Sequence, residues 1–189
     1  MRVAVLCSGG GTNLQALIDA AADGRLQHAQ LALVGADRDC FALERAERAG
    51  ICAVRVATSD LARVLEEAAI DVVVLAGYLA IVPAEVTSAY AGRMINIHPS
   101  LLPAYGGPGM YGLRVHEAVL AAGEEVTGAT VHLVTDEVDG GPILCQAEVK
   151  VEPGDTPQSL QARVMEQAEW RLLPAALAEL TQKLEGAGR

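Results

Sequence analysis

The stretch that most limits how this chain can fold is Ile70-Asp71-Val72-Val73-Val74-Leu75-Ala76-Gly77. A strand with one wet face alternates apolar and polar residues. An unbroken β-branched run of strand length is buried on both faces instead, and that requires a parallel sheet covered by helices on each side. The N-terminal half supplies the other parts. Residues 2–7 form a β-branched run that Ser8-Gly9-Gly10-Gly11-Thr12 breaks, and a helical pattern follows with Asn13 as its N-cap. Strands are expected at 30–35, 51–56 and 93–97. Helices are expected at 41–49, closed by Gly50, and at 61–69 and 83–90. Such alternation predicts an α/β fold with a Rossmann-like, doubly wound, mostly parallel sheet.

After a helix at 115–122 the pattern changes. Residues 128–134 and 142–151 alternate like two antiparallel strands joined by 136–141, extending the sheet in the C-terminal part. A long helix starts at 156, broken near Pro174, with a ragged polar end after Lys183. No repeat, low-complexity tract or linker interrupts the chain. It reads as one domain over 1–189, with an N-terminal half of about 1–97 and a C-terminal part of about 98–189.

Charge and cysteine content narrow the function classes. The net charge is −10 and the basic residues form no block, which argues against a nucleic-acid surface. No apolar run reaches the ~18 residues a membrane span needs, and the short N-terminal run reads as a strand rather than a signal peptide. Cys7, Cys40, Cys52 and Cys145 show neither a CxxC pair nor metal-ligand spacing. They read as reduced, mostly buried thiols of a cytoplasmic protein that uses no metal.

Three stretches carry candidate chemistry. In the glycine run, Gly9, Gly10 and Gly11 bring backbone N–H groups close to an anion, and Thr12 and Asn13 add side-chain donors at a helix N-terminus. Leu14 stands where a dinucleotide fingerprint has its third glycine, and no P-loop lysine follows, so a phosphate monoester is the expected ligand. Asn96 and His98 lie two apart on a strand and share a side at its end, where open α/β sheets place ligands. Asp136-Glu137-Val138-Asp139-Gly140-Gly141 is either a solvated hairpin loop or a carboxylate turn that orients His98 and raises its pKa. His132 shares the face of Thr130 and Val134, and either lines the same cleft or covers a sheet face. Tyr78-Leu79-Ala80-Ile81-Val82 is plain core or an apolar wall for a planar ring. The glycine-rich stretch 105–112 reads as a mobile flap. His116 and His28 carry no catalytic expectation.

The segments Ser8 to Gln15, Val74-Leu75-Ala76-Gly77-Tyr78, Asn96-Ile97-His98-Pro99-Ser100-Leu101-Leu102-Pro103 and Asp136 to Pro142 occur in an order that resembles the folate-dependent formyltransferases. The glycine run narrows the resemblance to the glycinamide ribonucleotide formyltransferase family, over essentially the whole chain. The resemblance implies transfer of the formyl group of 10-formyltetrahydrofolate to the amine of glycinamide ribonucleotide in de novo purine biosynthesis. It implies that Asn96, His98 and Asp139 are catalytic and that Gly9 to Asn13 hold the substrate phosphate. Tyr78, Leu79, Ala80, Ile81, Val82, Asp136, Glu137 and Val138 would surround the pterin. Glu169, before Trp170-Arg171-Leu172-Leu173-Pro174, matches a ribose-binding glutamate and lies beside an apparent one-residue insertion.

The chain departs from better-known members in three places. The segment 57–70 is shortened and keeps Arg63 as its one basic residue, where some relatives carry a phosphate-binding arginine. The flap has additional glycines, and Ala80 replaces an arginine whose backbone contacts the pterin. The expected partners are small molecules alone, without nucleic acid or membrane, for a monomer or homodimer. Two alternatives stand beside this reading. One is a formyltetrahydrofolate hydrolase, which usually carries a preceding regulatory domain; none is expected before Met1. The other is a non-catalytic folate- or nucleotide-binding protein, which would have no need of Asn96, His98 and Asp139 together.

Overall fold

In the computed structural model, which describes residues 1–187, the valine run forms strand β4 (Val72–Leu75), buried along its whole length. It lies at the centre of a seven-stranded sheet. The other strands are β1 (Arg2–Cys7), β2 (Gln30–Ala36), β3 (Cys52–Arg55), β5 (Met94–His98), β6 (Val126–Leu133) and β7 (Ile143–Lys150). The spatial order is β3-β2-β1-β4-β5-β6-β7. The pairs among β1 to β5 are parallel, whereas β5–β6 and β6–β7 are antiparallel. The doubly wound sheet with an antiparallel extension is therefore the fold, as the alternation of elements predicts.

Side chains alternate between the two sheet faces. Val3, Val5, Cys7, Val72 and Val74 pack under helices α1 (Thr12–Ala22), α2 (Phe41–Arg48), α5 (Leu113–Ala122), α6 (Pro157–Val164) and α7 (Trp170–Ala187). Ala4, Leu6, Val73 and Leu75 pack against Leu61 and Leu65 of α3 (Leu61–Glu67) and Val86 of α4 (Ala84–Ala89). Covering both faces is what lets β4 remain apolar without alternation.

Three expectations need correction. The late helix is interrupted at a π turn, Met165–Glu169, and Pro174 lies buried inside α7. The carbonyl that a residue-174 N–H would have met belongs to Trp170, the first residue of α7, so the missing bond falls at a seam where the ladder already changes. The helix also runs on to Ala187, past the expected fraying at Lys183, and residues 188–189 lie outside the described residues. Of the cysteines, only Cys7 is buried; Cys40 and Cys145 are half-buried and Cys52 is exposed, all as free thiols. Burial, with a smaller contribution from Cys40, pushes the Cys7 thiol up to about 12, so it stays protonated. Among the described residues no helix is long and apolar enough to cross a membrane.

Candidate active site

Strand order reverses between β1 and β4, because the chain moves outward through β2 and β3 before returning to β4. A cleft of about 750 Å³ opens at the carboxyl ends of these strands. The loops after β1 and β4 are tied across the reversal: the Ser8 N–H donates to the Gly77 carbonyl (3.0 Å), and the Leu79 N–H donates to Ser8 Oγ (2.8 Å). Ser8 thus holds the two halves of the cleft together. The residue before the glycines gives no periodic signal that would single it out.

At one end the glycine run faces the cleft. Helix α2 grips it from behind, the Ala42 N–H donating to Gly9 O (3.1 Å) and Arg45 Nε to Gly10 O (2.8 Å). A carbonyl and the following N–H point opposite ways across one peptide plane, so these bonds aim the N–H groups of Gly10 and Gly11 away from α2. Gly11 adopts φ +70°, and a Cβ there would sit 2.8 Å from the Ala42 Cβ, so only glycine fits. Asn13 is not the N-cap; Gly11 holds that position, with no side-chain cap. The Asn13 Nδ2 instead donates to Glu169 Oε2 at 2.6 Å, because that carboxyl is 5% exposed and needs a donor. Burial pushes Glu169 up to about 7, against the opposing bond from Asn13. Glu169 is the last residue of the π turn, whose wider ring holds one more residue than an α turn. Among the described residues the Thr12 hydroxyl meets only the Met165 sulfur, at 3.9 Å.

At the centre, Asn96 and His98 leave the end of β5 on one side, and pairing sets His132 of β6 opposite Asn96. The sharp turn after β6 brings back Asp139, which adopts φ +56°. Its Oδ2 lies 3.5 Å from His98 Nδ1, and its Oδ1 lies 3.6 Å from His132 Nε2 and 3.5 Å from Asn96 Nδ2. His132 therefore lines the cleft rather than covering a sheet face. Its Nδ1 donates to the Leu133 carbonyl (2.9 Å), which leaves Nε2 to accept from Asn96 Nδ2 (3.0 Å) and fixes the amide with its N–H groups toward the centre. His98 Nε2 donates to the Tyr105 carbonyl (2.8 Å), and the Gly107 N–H donates to Asp139 Oδ2 (2.9 Å). The flap's backbone thus contacts both groups, a role that its glycine content does not reveal.

The expected rise in the His98 pKa is reversed. Burial outweighs Asp139 and the Tyr105 carbonyl, which both favour the proton, and the group titrates below its ordinary value. Burial alone would raise Asp139, but the neighbouring imidazoles of His132 and His98 and the bond from the Gly107 N–H bring it below the ordinary carboxylate value.

The far end is apolar. Tyr78, Leu79, Ala80, Ile81 and Val82 line it, with Ile81 72% exposed, and Asp136, Glu137 and Val138 form the opposite rim. The Thr87 hydroxyl of α4 donates to Asp136 and braces that rim. Arg63, the one basic residue of the shortened segment, pairs with Asp60 and Glu67 on exposed α3 and does not line the cleft. Indeed no lysine or arginine is among the described residues that line it. The cleft offers neutral anion donors at one end, an apolar slot at the other, and an amide, an imidazole and a carboxylate between them. Such a layout suits transfer of a small carbonyl-bearing group between two ligands.

Residues 1–177 match the formyl transferase family. The phosphoribosylglycinamide formyltransferase of Escherichia coli is 42% identical over 177 residues, covering 88% of this chain and 81% of its own. The chloroplastic phosphoribosylglycinamide formyltransferase of Arabidopsis thaliana is 39% identical, covering 87% of this chain; the chain spans 60% of the length of that longer relative. The crystal structure of glycinamide ribonucleotide transformylase 1 from Symbiobacterium toebii superposes with a TM-score of 0.90 at 40% identity, covering 97% of this chain and 88% of its own.

Proposed function

The chain belongs to the formyl transferase family, and on that premise we propose that its cleft moves the formyl group of 10-formyltetrahydrofolate to the amine of glycinamide ribonucleotide, in purine biosynthesis. The observation that carries the assignment is the meeting of His98, Asp139 and Asn96 within 3.5 Å contacts, midway between an anion-binding loop and an apolar slot. The ribonucleotide phosphate takes the N–H groups of the glycine run with Thr12, and its ribose hydroxyls donate to Glu169. The pterin lies between Tyr78–Val82 and Asp136–Val138, against backbone groups for which Ala80 serves as well as a longer side chain. Residues 1–189 act as one domain in this reading, in the cytoplasm, on small molecules, without a metal and without nucleic acid or membrane.

The substrate amine attacks the formyl carbon, and negative charge collects on the formyl oxygen. An Asn96 N–H and the Nδ1–H of protonated His98, which faces Asp139, meet that oxygen, while Nε2 keeps its bond to the Tyr105 carbonyl. One such donor is worth about 10²–10³ in rate. Asp139 favours the imidazolium and passes the proton lost by the amine toward the departing N10. Breaking the carbon–N10 bond then yields the formylated amine and tetrahydrofolate. The test is formyl transfer to glycinamide ribonucleotide with water as the competing acceptor, repeated with the unphosphorylated riboside. Amine transfer with a large loss of affinity for the riboside is expected. Hydrolysis alone would assign the cleft to the hydrolase reading, and equal affinities would remove the phosphate role of the glycine run.

A further inference from the structure

We infer that Arg45, which does not line the cleft, is the positioning residue and the charge source of the phosphate end. The inference rests on the ribonucleotide reading above and deepens it. A phosphate monoester brings close to two negative charges at neutral pH. The described residues around its end of the cleft include the acidic Glu169 and no lysine or arginine. The cation must therefore act from the second layer.

Arg45 is the residue so placed. Its Nε donates to the Gly10 carbonyl at 2.8 Å, its Nη1 donates to Gln15 Oε1 at 3.0 Å, and its guanidinium stacks 4.9 Å over the Phe41 ring. Two hydrogen bonds and one aromatic face hold it half-buried, with no carboxylate partner among the described residues. Its neighbour Arg48, by contrast, is paired with Glu44. The bond to Gly10 has two effects. It keeps the carbonyl turned out of the cleft, so that the following Gly11 N–H points in. It also polarises that same peptide, strengthening the N–H that meets the anion. The unneutralised charge adds a favourable field at the phosphate, less screened than on an open surface because the guanidinium is half-buried.

The test compares wild type, Arg45→Gln and Arg45→Lys. Steady-state kinetics should show the KM for glycinamide ribonucleotide rising about tenfold in Arg45→Gln, the size expected for one charge acting over several ångströms near a surface. The KM for 10-formyltetrahydrofolate and kcat should stay within about twofold, and the salt dependence of the ribonucleotide KM should flatten. Arg45→Lys restores the salt dependence and part of the affinity, since it returns the charge without the fork. An unchanged ribonucleotide KM overturns the inference. So does a rise in both KM values with the salt dependence intact, which would mark a merely structural role. Calorimetric titration with ribose 5-phosphate and with ribose separates this from the assignment of function. If wild type transfers no formyl group yet binds ribose 5-phosphate in an Arg45-dependent way, the functional reading falls and the inference stands.

Discussion

Replacing Glu169 by glutamine should stabilise the protein at alkaline pH while weakening its substrate binding. The carboxyl is 5% exposed and titrates at about 7, against an ordinary value of 4.5, because burial penalises its charged form. Between these two values the folded chain holds a proton that the unfolded chain has released. Stability therefore falls as pH rises from about 4.5 through 7, by about 3 kcal/mol at ~1.4 kcal/mol per factor of ten. Glutamine is neutral throughout and keeps an oxygen for the Asn13 Nδ2, so the variant escapes this loss. At ~2–4 °C per kcal/mol for a chain of this size, its melting temperature should exceed that of wild type by about 6–12 °C at pH 8.5 and by little at pH 4.5. His116 bends the wild-type curve the other way: it is fully buried, and burial drives its pKa down to about 4, so stability drops as pH falls below 6.5. The variant-minus-wild-type difference removes that contribution, which makes paired thermal melts at the two pH values the proper assay. The ribonucleotide KM should rise in the same variant and lose its pH dependence near 7, since only the ionised carboxylate accepts two ribose hydroxyls. A melting difference equal at both pH values would refute the reasoning, because it would mean that Glu169 carries the same charge folded and unfolded.

Other substitutions probe the rest of the cleft. His98→Ala should lower formyl transfer by at least 10²-fold with little change in melting temperature; turnover near the wild-type rate would remove His98 from the chemistry. Asp139→Asn takes away the charge that favours the His98 proton, so kcat should fall and the alkaline limb of its pH profile should move to lower pH; a limb that moves up contradicts the pairing. Gly11→Ala puts a Cβ 2.8 Å from that of Ala42 at φ +70°, and urea titration should show a loss of about 1–3 kcal/mol together with a raised ribonucleotide KM.

What could be read in advance follows the range of the interactions involved. The unbroken valine run specified a strand covered on both faces, and the break at Ser8-Gly9-Gly10-Gly11 specified a tight strand-to-helix turn. Both signals lie within a few neighbours along the chain. Asn13 was misread for the same reason: a local cap is what an asparagine at a helix start ordinarily provides, and here a carboxyl 156 positions later takes the amide instead. Pro174 was misread as the break in the late helix because the ladder had already changed at the preceding π turn.

The sequence by itself determined the doubly wound sheet, its antiparallel extension, the glycine turn, and the presence of an amide and an imidazole on one side of a strand end. Periodicity and backbone preference settle those features residue by residue. Only the tertiary structure decided that Asp139 lies between His98 and His132, that Glu169 closes on Asn13, and that Arg45 grips the glycine run from outside the cleft. It alone decided the protonation balance of the centre, since a pKa is set by how much water is excluded and which charges face the group. Those are properties of a packed volume, and the order of residues along the chain does not contain them.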